Sequence, residues 1–410
     1  MNVLINAFAI SPYHGSENGV GWHWAEGIAK YCNVFLICGD EYRDEVETGV
    51  NASPYRENLH VTFNEIPPHV IDKVKNQGDW RFYYYYRKWQ KKSYEIAKVI
   101  CKENEIDIIH QLNLVSFREP GYLWKLGKPM VWGPIGGLGE TPKRFMDGAS
   151  MKMKTLFLLK DFISILQLRF SSHIDKAFSH TDVLISAVPN AQLKILKYKK
   201  RTSFLIPETG CDDLDTEVID KRNRREFHIL WVGRFIYTKR LDIALRTIAR
   251  IKDIENLHFH IMGSGNDKQV KYYKGLATKY GINHICEWHG NVDNRKVHEM
   301  MRLSDIFFFT SIREATSTVV PEAINNCLPI VCFNACGFGR LVSPLIGRTV
   351  EMTKPDQSVL EFAEQIKNLY SNKELLYSMS LNCKEALKQL LWEEKAKSLF
   401  KIYKQLTETK

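Results

Sequence analysis

Short runs of β-branched and aromatic residues alternate along the chain with longer stretches whose apolar residues recur at helical spacing. This alternation is typical of βαβ units, which build parallel sheets covered by helices. In the first half of the chain the pattern predicts strands at 3–8, 34–38, 59–63, 106–109, 130–132, 183–186 and 202–206. A second series of predicted strands follows at 227–232, 258–262, 284–288, 306–309 and 329–333.

The two series of strands are separated by a loop at 207–213, which is rich in proline, glycine and aspartate, and by a charged stretch at 221–225. Polar loops of this kind connect domains. We therefore predict an α/β fold with two doubly wound, Rossmann-like domains that face each other across a cleft, the first over 1–207 and the second over 208–391. A chain of 410 residues is long enough to bury two such cores.

The loop after the fourth strand of the second series carries the densest set of candidate binding residues. Pro321 is tolerated only in the first turn of a helix, so a helix is expected to begin near Thr318, with Ser317 or Thr318 as its N-cap. The free N–H groups at such a helix end suit a phosphate. Glu314 and Glu322 bracket this turn, and carboxylates accept hydrogen bonds from sugar hydroxyls. Alternatively, Glu322 only complements the helix dipole and Glu314 is a surface charge.

A second candidate anion site follows the first strand of the second domain, where Arg234 offers a bidentate guanidinium group and Lys239 a compact positive charge. Both residues lie on the loop that opens the next helix, which suits a diphosphate. Taken alone, they also fit a solvated basic loop. The next βα turn contains Gly263, which lets the backbone approach a ligand closely, although this turn lacks the full GxGxxG pattern.

In the first domain, Gly15, Gly19 and Gly21 lie at the predicted turn between the first strand and the first helix, where glycine allows a ligand to approach the backbone. His110 follows the predicted strand at 106–109, and we expect its side chain to point into the cleft between the domains. A single histidine is more often structural than functional, so this assignment depends on the other motifs.

Together these motifs resemble the large retaining GT-B glycosyltransferase family, which includes sucrose-phosphate synthases and bacterial mannosyltransferases. The resemblance is carried by Val232-Gly233-Arg234 with Lys239, by Gly263-Ser264-Gly265 and by the spacing of Glu314 and Glu322. Members of the family often have a glycine pair between these two glutamates, whereas this chain has Ala315, Thr316 and Ser317. This difference concerns the identity of the sugar rather than the fold.

In that family the C-terminal domain binds a nucleotide sugar and the N-terminal domain binds the acceptor. The resemblance implies that Arg234 and Lys239 hold the diphosphate and that Glu322 binds the ribose hydroxyls. It also implies catalytic roles for Glu314, at the sugar hydroxyls, and for His110, in contact with the transferred sugar. The other donor-binding candidates are Gly19, Gly21, Gly263, Thr316, Ser317 and Thr318. The final helix, 392–410, resembles the helix with which family members complete the N-terminal domain.

We therefore expect an enzyme that moves a sugar from a nucleotide-diphosphate donor to a glycan or lipid-linked glycan acceptor, with retention of configuration, in bacterial surface polysaccharide assembly. The nucleotide sugar is a substrate, and no cofactor is expected. No metal is expected either, because Arg234, Lys239 and the helix end supply positive charge and no Asp-x-Asp pair directly follows a predicted strand.

Two alternatives belong to other functional classes. A nucleotide-sugar 2-epimerase on the same fold would need a cluster of catalytic carboxylates and histidines, which the motifs do not bring together. A nucleic-acid-binding protein would fit a sequence pI of about 9.0 and the basic run at 194–201. The basic residues are, however, dispersed over both domains without a recognised nucleic-acid module, so no nucleic-acid partner is expected.

The chain has 57 basic and 47 acidic residues, a net charge of +10 at pH 7. Segment 73–102 combines basic residues with aromatic ones, including the tyrosines at 83–86, and segment 152–169 is strongly apolar. Cationic and aromatic residues together suit docking on an anionic membrane surface, whereas the alternative is two core-packed helices with solvated basic faces. We expect a cytoplasmic protein and leave open its peripheral attachment to the inner face of the membrane.

Two further observations bear on the compartment. The nine cysteines form an odd set without a CxxC pair, so they indicate neither a disulfide framework nor a zinc site. Residues 1–5 carry no basic leader region, and no apolar run approaches the length that spans a bilayer. Both observations favour reduced thiols in a cytoplasmic protein.

Overall fold

The computed structural model describes residues 1–70, 80–314 and 316–408. Contacts between Cα atoms divide the chain into two compact units. Unit 1 comprises Met1–Gly139, Lys160–Gly210 and Trp392–Lys410, and unit 2 comprises Glu140–Leu159 and Cys211–Leu391. Residues 140–159, which the sequence placed in the N-terminal domain, thus group with unit 2.

Each unit contains one sheet, and all the paired strands run parallel. Unit 1 has the strand order β3-β2-β1-β4-β5-β6-β7, and unit 2 has the order β10-β9-β8-β11-β12-β13. The strands are β1 (Asn2–Ala7), β2 (Asn33–Cys38), β3 (Leu59–Phe63), β4 (Ile108–Asn113), β5 (Met130–Ile135), β6 (Val183–Ser186), β7 (Phe204–Leu205), β8 (Phe227–Val232), β9 (Leu257–Met262), β10 (Cys286–Gly290), β11 (Ile306–Phe309), β12 (Ile330–Phe333) and β13 (Gly347–Val350). The predicted doubly wound α/β fold is confirmed.

Helices follow most of the strands. They are α1 (Ser16–Ala29), α2 (Arg43–Ala52), α3 (Trp80–Glu103), α4 (Met151–Phe170), α5 (Ser172–His180), α6 (Pro189–Lys199), α7 (Leu241–Arg250), α8 (Asp267–Tyr280), α9 (Asn294–Leu303), α10 (Val319–Asn325), α11 (Phe338–Leu341), α12 (Pro355–Ser371), α13 (Lys373–Leu387) and α14 (Trp392–Glu408). Short 3₁₀ turns lie at Arg56–Asn58, Pro68–Val70, Leu123–Leu126, Lys143–Phe145, Tyr237–Lys239 and Lys388–Leu390. Helix α14 belongs to unit 1, although it is the last element of the chain.

The two ends of α8, the helix after the loop that contains Gly263, are determined by the local sequence. Asn266 accepts a hydrogen bond from the backbone N–H of Gln269 at 3.0 Å, and the Gln269 side chain accepts one from the N–H of Asn266 at 2.9 Å. This capping box satisfies two N–H groups that the helix itself leaves unpaired. At the other end, Gly281 adopts a φ of +67°, which glycine does at little cost. The helix therefore begins directly after the loop that contains Gly263.

Alternation along the strands of unit 2 divides its core into two layers. Ile229 and Trp231 face the layer that α7, α8 and α12 cover, whereas Leu230 faces the layer of α9, α10 and α13. Because successive side chains of a strand point to opposite faces, nearly continuous apolar strands fill both layers. The loops at the carboxyl ends of the strands are held on this rigid base.

The aromatic residues of α3 belong mostly to the core of unit 1. Phe82, Tyr86 and Trp89 are buried against Phe8, with exposed fractions of 1%, 2% and 6% for the three α3 residues. The basic residues of this helix, such as Lys91, lie on the opposite, solvated face. The alternative of a core-packed helix therefore applies to α3 between 80 and 103; the part of the predicted basic segment at 71–79 lies outside the described residues.

Helix α4 differs, because eight of its large apolar residues are exposed: Met151, Leu156, Leu158, Leu159, Phe162, Ile163, Leu166 and Phe170. Its sequence nevertheless carries too many charges for a spanning segment, and within the described residues no helix is long and apolar enough to cross a bilayer. The nine cysteines are free thiols, seven of them buried.

Candidate active site

Direct backbone contact joins the loops after β8 and β9. Gly263 has a φ of +130°, and a Cβ atom at this position would lie 1.9 Å from the carbonyl oxygen of Gly233. The Gly263 N–H donates to the carbonyl of Gly290 at 2.7 Å, and the Gly233 N–H donates to the carbonyl of Met262 at 2.9 Å. Only glycine fits at position 263, because any side chain would overlap the neighbouring backbone.

An ion pair connects the loops after β8 and β11. Lys239 Nζ lies 2.7 Å from Glu314 Oε1, and the two side chains are only 13% and 18% exposed. The Ser311 hydroxyl donates to the same carboxylate oxygen at 2.6 Å, and the Glu314 N–H donates to Cys336 Sγ at 3.3 Å. The structure thus brings together two residues that the sequence had assigned to one site, and it adds Ser311 and Cys336, which the motifs did not indicate.

Two further donor-binding candidates precede and follow this pair along the chain. Arg234 is exposed at the start of the same loop as Lys239. Glu322 lies in α10 and is partly buried, and burial raises the pKa of its carboxyl group. Within the described residues the Glu322 carboxylate has no hydrogen-bond partner, so its oxygens are available to a ligand.

The turn before α10 confirms the predicted helix start and the predicted N-cap residue, Thr318. Helix α10 begins at Val319, and Thr318 occupies the N-cap position with helical φ and ψ angles of −67° and −33° and without a side-chain hydrogen bond to the helix. Ser317 is buried and Thr316 is partly buried. Thr318 thus occupies the predicted cap position without the capping hydrogen bond that a hydroxyl makes when the N-cap residue has extended backbone angles. Ala315 lies outside the described residues.

His110 does not point into open space, contrary to our expectation. Its side chain is fully buried in unit 1, with Nε2 at 2.7 Å from the carbonyl oxygen of Gly133 and Nδ1 at 2.6 Å from the hydroxyl of Tyr403. Since a carbonyl only accepts, Nε2–H donates to Gly133 and Nδ1 accepts from Tyr403. Burial lowers the pKa of His110 to about 4, which keeps the ring neutral. His110 is thus an internal link between β4, β5 and α14.

Gly19 and Gly21 also differ from the expected open turn. Both lie inside α1, which begins at Ser16. A Cβ atom at Gly19 would lie 2.6 Å from the carbonyl oxygen of His14, and one at Gly21 would lie 2.2 Å from that of Ala9. These glycines therefore allow the helix to pack against the preceding loop.

A polar cluster at the carboxyl end of β4 was missed by the motifs. Asn113 donates to the carbonyl of Ala9 at 2.7 Å, and the Tyr86 hydroxyl donates to the Asn113 carbonyl at 3.1 Å. The Val115 N–H lies 3.2 Å from the Glu17 carboxylate. Burial raises the pKa of Glu17 to about 7, against the lowering effect of the Val115 hydrogen bond. Asn113, a polar residue at the end of a buried strand, is the sequence signal that could have indicated this cluster.

The sequence comparisons cover the second half of the chain. Residues 215–386 match the family described as glycosyl transferases group 1. A protein of Methanocaldococcus jannaschii, named as an uncharacterised glycosyltransferase, is 28% identical over 180 residues, which make up 44% of this chain and 48% of that protein. A second such protein of the same organism is 22% identical over 176 residues, 43% of this chain and 44% of that protein. The chain thus spans about half the length of the curated relatives it matches.

Solved structures resemble the chain along its whole length. The sucrose-phosphate synthase of Thermosynechococcus elongatus aligns over 100% of both chains with a TM-score of 0.67 and 15% identity. Anabaena HepE in complex with UDP aligns over 99% of this chain and 100% of that chain, with a TM-score of 0.62 and 14% identity. WaaG, a glycosyltransferase involved in lipopolysaccharide biosynthesis, aligns over 96% and 98% with a TM-score of 0.57 and 13% identity.

Two parallel sheets, one in each unit, give the chain the GT-B fold that these solved structures share. The resemblance drawn from the motifs is confirmed by these comparisons: residues 215–386 match the glycosyl transferases group 1 family, and the solved glycosyltransferases share the fold of the whole chain.

Proposed function

We propose that the protein transfers a sugar from a nucleotide-diphosphate donor to a glycan or lipid-linked glycan acceptor, with retention of configuration and without a metal ion. The observation that carries this proposal is the shielded Lys239–Glu314 pair, which lies with Arg234 and Glu322 in the segment that matches the family. HepE, one of the structural neighbours, was solved in complex with UDP.

The charges of this site suit a departing nucleoside diphosphate. Negative charge develops on the diphosphate as its bond to the anomeric carbon breaks, and fixed cations stabilise that charge. Arg234 provides a planar fork for two phosphate oxygens, and Lys239 provides three N–H donors, of which one contacts Glu314. Lys239 is therefore able to bind the phosphate and Glu314 together.

The carboxylates suit the hydroxyl groups of the donor. Oε1 of Glu314 already accepts from Lys239 and Ser311, whereas the described residues supply no partner for Oε2. We assign Oε2 to a hydroxyl of the transferred sugar and the unpartnered Glu322 carboxylate to the ribose hydroxyls. A carboxylate beside two hydroxyls accepts a hydrogen bond from each.

Retention follows in this proposal from attack on the face that the diphosphate leaves. The acceptor hydroxyl forms the new bond to the anomeric carbon, the bond to the diphosphate breaks, and the hydroxyl proton passes to the departing phosphate oxygen. No enzymic nucleophile takes part. His110 has no role in this scheme, since both of its ring nitrogens are engaged inside unit 1.

Helix α4 supports docking on an anionic lipid surface. Leu159, Phe162, Leu166 and Phe170 recur at helical spacing and are all exposed, and the same helix carries basic residues such as Lys160. An apolar stripe with flanking cations binds at the boundary between headgroups and acyl chains. A lipid-linked acceptor would be reached from this position, and the neighbour WaaG is a glycosyltransferase involved in lipopolysaccharide biosynthesis.

The decisive experiment is a screen of nucleotide sugars for release of the nucleoside diphosphate, with and without a lipid-linked glycan acceptor. We expect release that depends on the acceptor, and a product whose anomeric configuration by NMR equals that of the donor. Release with a C2-inverted free sugar and no need for an acceptor would instead identify a 2-epimerase. An inverted glycosidic product would contradict the front-side mechanism.

A further inference from the structure

Four histidines and one glutamate gather on one face of the unit 2 sheet, at its β10 edge. His228 comes from β8, His258 and His260 from β9, and Glu287 and His289 from β10. Residues two apart on a strand share a face, and the register pairs His228 with His258 and His260 with Glu287. Adjacent parallel strands thus place all five side chains side by side, on the face opposite α7 and α8.

Two separations between ligand atoms of this cluster are close to those around a tetrahedral metal ion. His260 Nδ1 lies 3.2 Å from Glu287 Oε2 and 3.2 Å from His289 Nε2, and one ligand atom from each residue lies within 4.8 Å of the others. Metal–ligand bonds of about 2.0–2.1 Å at tetrahedral angles place ligand atoms about 3.4 Å apart. We propose that His260, Glu287 and His289 bind a divalent transition metal ion, Zn²⁺ in the first instance.

The chemistry of the three ligand side chains determines which metal ions the site can bind. Two imidazoles and one carboxylate suit Zn²⁺ and its neighbours in the first transition series, whereas Ca²⁺ and Mg²⁺ require oxygen ligands. His260 is buried, with an exposed fraction of 4%, while Glu287 and His289 are partly exposed and leave room for a water molecule in the fourth position.

The remaining two histidines hold the ligands in place. His228 Nδ1 lies 2.8 Å from His260 Nε2, so it can accept the N–H of that ring while Nδ1 of His260 turns to the metal. His258 Nδ1 lies 2.8 Å from Glu287 Oε1 and leaves Oε2 for coordination. Hydrogen bonds of this kind fix the ring tautomer and the carboxylate orientation in metalloproteins.

The metal would join β9 to β10 close to their carboxyl ends, where the Gly263 N–H donates to the Gly290 carbonyl. None of the three ligands is a donor-binding candidate. The site is therefore a structural clamp on the sheet that carries the Gly263 loop, and its existence does not depend on the proposed transfer reaction.

The test is Zn²⁺ binding by the full-length protein, prepared without a polyhistidine tag and stripped of metal. We expect one Zn²⁺ per chain by calorimetry and a concentration-dependent rise in melting temperature, because the ion binds the folded state. His289→Gln and Glu287→Gln should each weaken binding at least tenfold. His258→Ala, which removes only a supporting hydrogen bond, should weaken it about tenfold. The control His284→Ala changes an exposed histidine just before β10 and should leave binding unchanged.

Spectroscopy of the Co²⁺ form gives a second measurement that does not depend on stability. Tetrahedral Co²⁺ with nitrogen and oxygen ligands absorbs far more strongly in the visible range than octahedral Co²⁺, and this absorption should disappear in His289→Gln. The proposal is overturned if the wild-type chain takes up no stoichiometric Zn²⁺, or if His289→Gln and His284→Ala bind it equally well. Uptake with an octahedral Co²⁺ spectrum also overturns it.

Discussion

Lys239 Nζ and Glu314 Oε1 lie 2.7 Å apart, in a pair that is largely shielded from water and joins the loops after β8 and β11. In the proposed mechanism the donor diphosphate meets a cation that Glu314 already orients, so little reorganisation is needed. If the lysine is removed, the glutamate is left beside the phosphate with charge of the same sign. In this proposed mechanism the two residues act as one functional pair.

Replacing Lys239 by alanine should weaken binding of the nucleoside diphosphate about 10- to 100-fold, the loss of one charge-assisted contact worth about 1.5 to 3 kcal/mol. Arg234→Ala should have an effect of similar size. The measurement is calorimetric titration with the diphosphate, and the matched control is Lys271→Ala, an exposed lysine on α8. Unchanged affinity in both site variants would contradict the assignment.

Coupling within the pair gives a sharper form of this test. Part of the loss in Lys239→Ala comes from the unpaired Glu314 carboxylate. The double variant Lys239→Ala/Glu314→Gln should therefore bind the diphosphate more tightly than Lys239→Ala alone. Strictly additive losses in the double-mutant cycle would show that the two side chains act separately at the diphosphate.

Gly21→Ala should destabilise unit 1 by at least about 2 kcal/mol, because the new Cβ would lie 2.2 Å from the carbonyl oxygen of Ala9 and 3.0 Å from the Asn113 side chain. Gly15→Ala is the matched control, since its φ is −78° and its Cβ would meet no atom within 4 Å. We expect the control to change the free energy of unfolding by less than about 0.5 kcal/mol in urea titrations. Equal destabilisation by both changes would argue against close packing of α1.

Glu17 should make stability depend on pH. Its pKa in the folded protein is about 7, above the usual value of 4.5, so the folded state binds more protons between these pH values. The free energy of unfolding should therefore fall as the pH rises from about 4.5 to 7, by at most about 3 kcal/mol. Glu17→Gln should reduce this fall, whereas Glu47→Gln, at an exposed position of α2, should not. If the free energy of unfolding depends on pH in the same way in Glu17→Gln and wild type, the raised pKa of Glu17 is refuted.

Transfer activity should survive chelation, because Arg234 and Lys239 supply the positive charge that a divalent ion provides elsewhere. The measurement is the initial rate in excess EDTA after metal stripping, at a temperature well below unfolding so that a structural ion has no effect. A complete loss of activity that Mg²⁺ or Mn²⁺ restores would show that the charge assignment at the diphosphate is wrong.

Flotation with vesicles of increasing anionic lipid content should recover the wild-type protein. Leu159→Glu/Phe162→Glu should abolish the salt-resistant part of this binding, because both side chains are exposed on α4. Changing Lys88, Lys91 and Lys92 to glutamate should remove only the salt-sensitive part, since the aromatic residues beside them are in the core.

The control for α4 is Leu345→Glu, an apolar residue of unit 2 with an exposed fraction of 66%. It adds the same kind of charge at an exposed position on another element. Flotation that is equal for wild type and Leu159→Glu/Phe162→Glu, or absent in both, would favour a soluble acceptor.

Several features follow from the sequence alone. Largely apolar runs at 227–232 and 306–309 predict the strands β8 and β11 at the observed positions. In a parallel sheet the loops that contain Lys239 and Glu314 both lie at the carboxyl ends of strands, and Pro321 marks the first turn of α10. These predictions succeed because they depend on local periodicity and on the general geometry of parallel sheets.

The strand ends predicted from the sequence agree less well with the structure where the buried residues are polar. The prediction at 106–109 is too short, since β4 continues through Gln111 to Asn113. Hydrophobicity alone does not indicate that these amides are buried, because their hydrogen-bond partners come from other segments: Gln111 accepts from Asn6, and Asn113 donates to Ala9. Strand β13, at Gly347–Val350, was missed because it is short and contains Arg348.

Only the tertiary structure decided which polar residues are available for chemistry. His110 follows an apolar run, as a functional histidine would, yet its partner Tyr403 lies 293 residues further along the chain and closes off its ring. His260 and Glu287 belong to no motif, and they meet because their strands pair in register. Sequence periodicity specifies which face of a strand a residue occupies, whereas its partners, its burial and hence its chemistry depend on segments that only folding brings into contact.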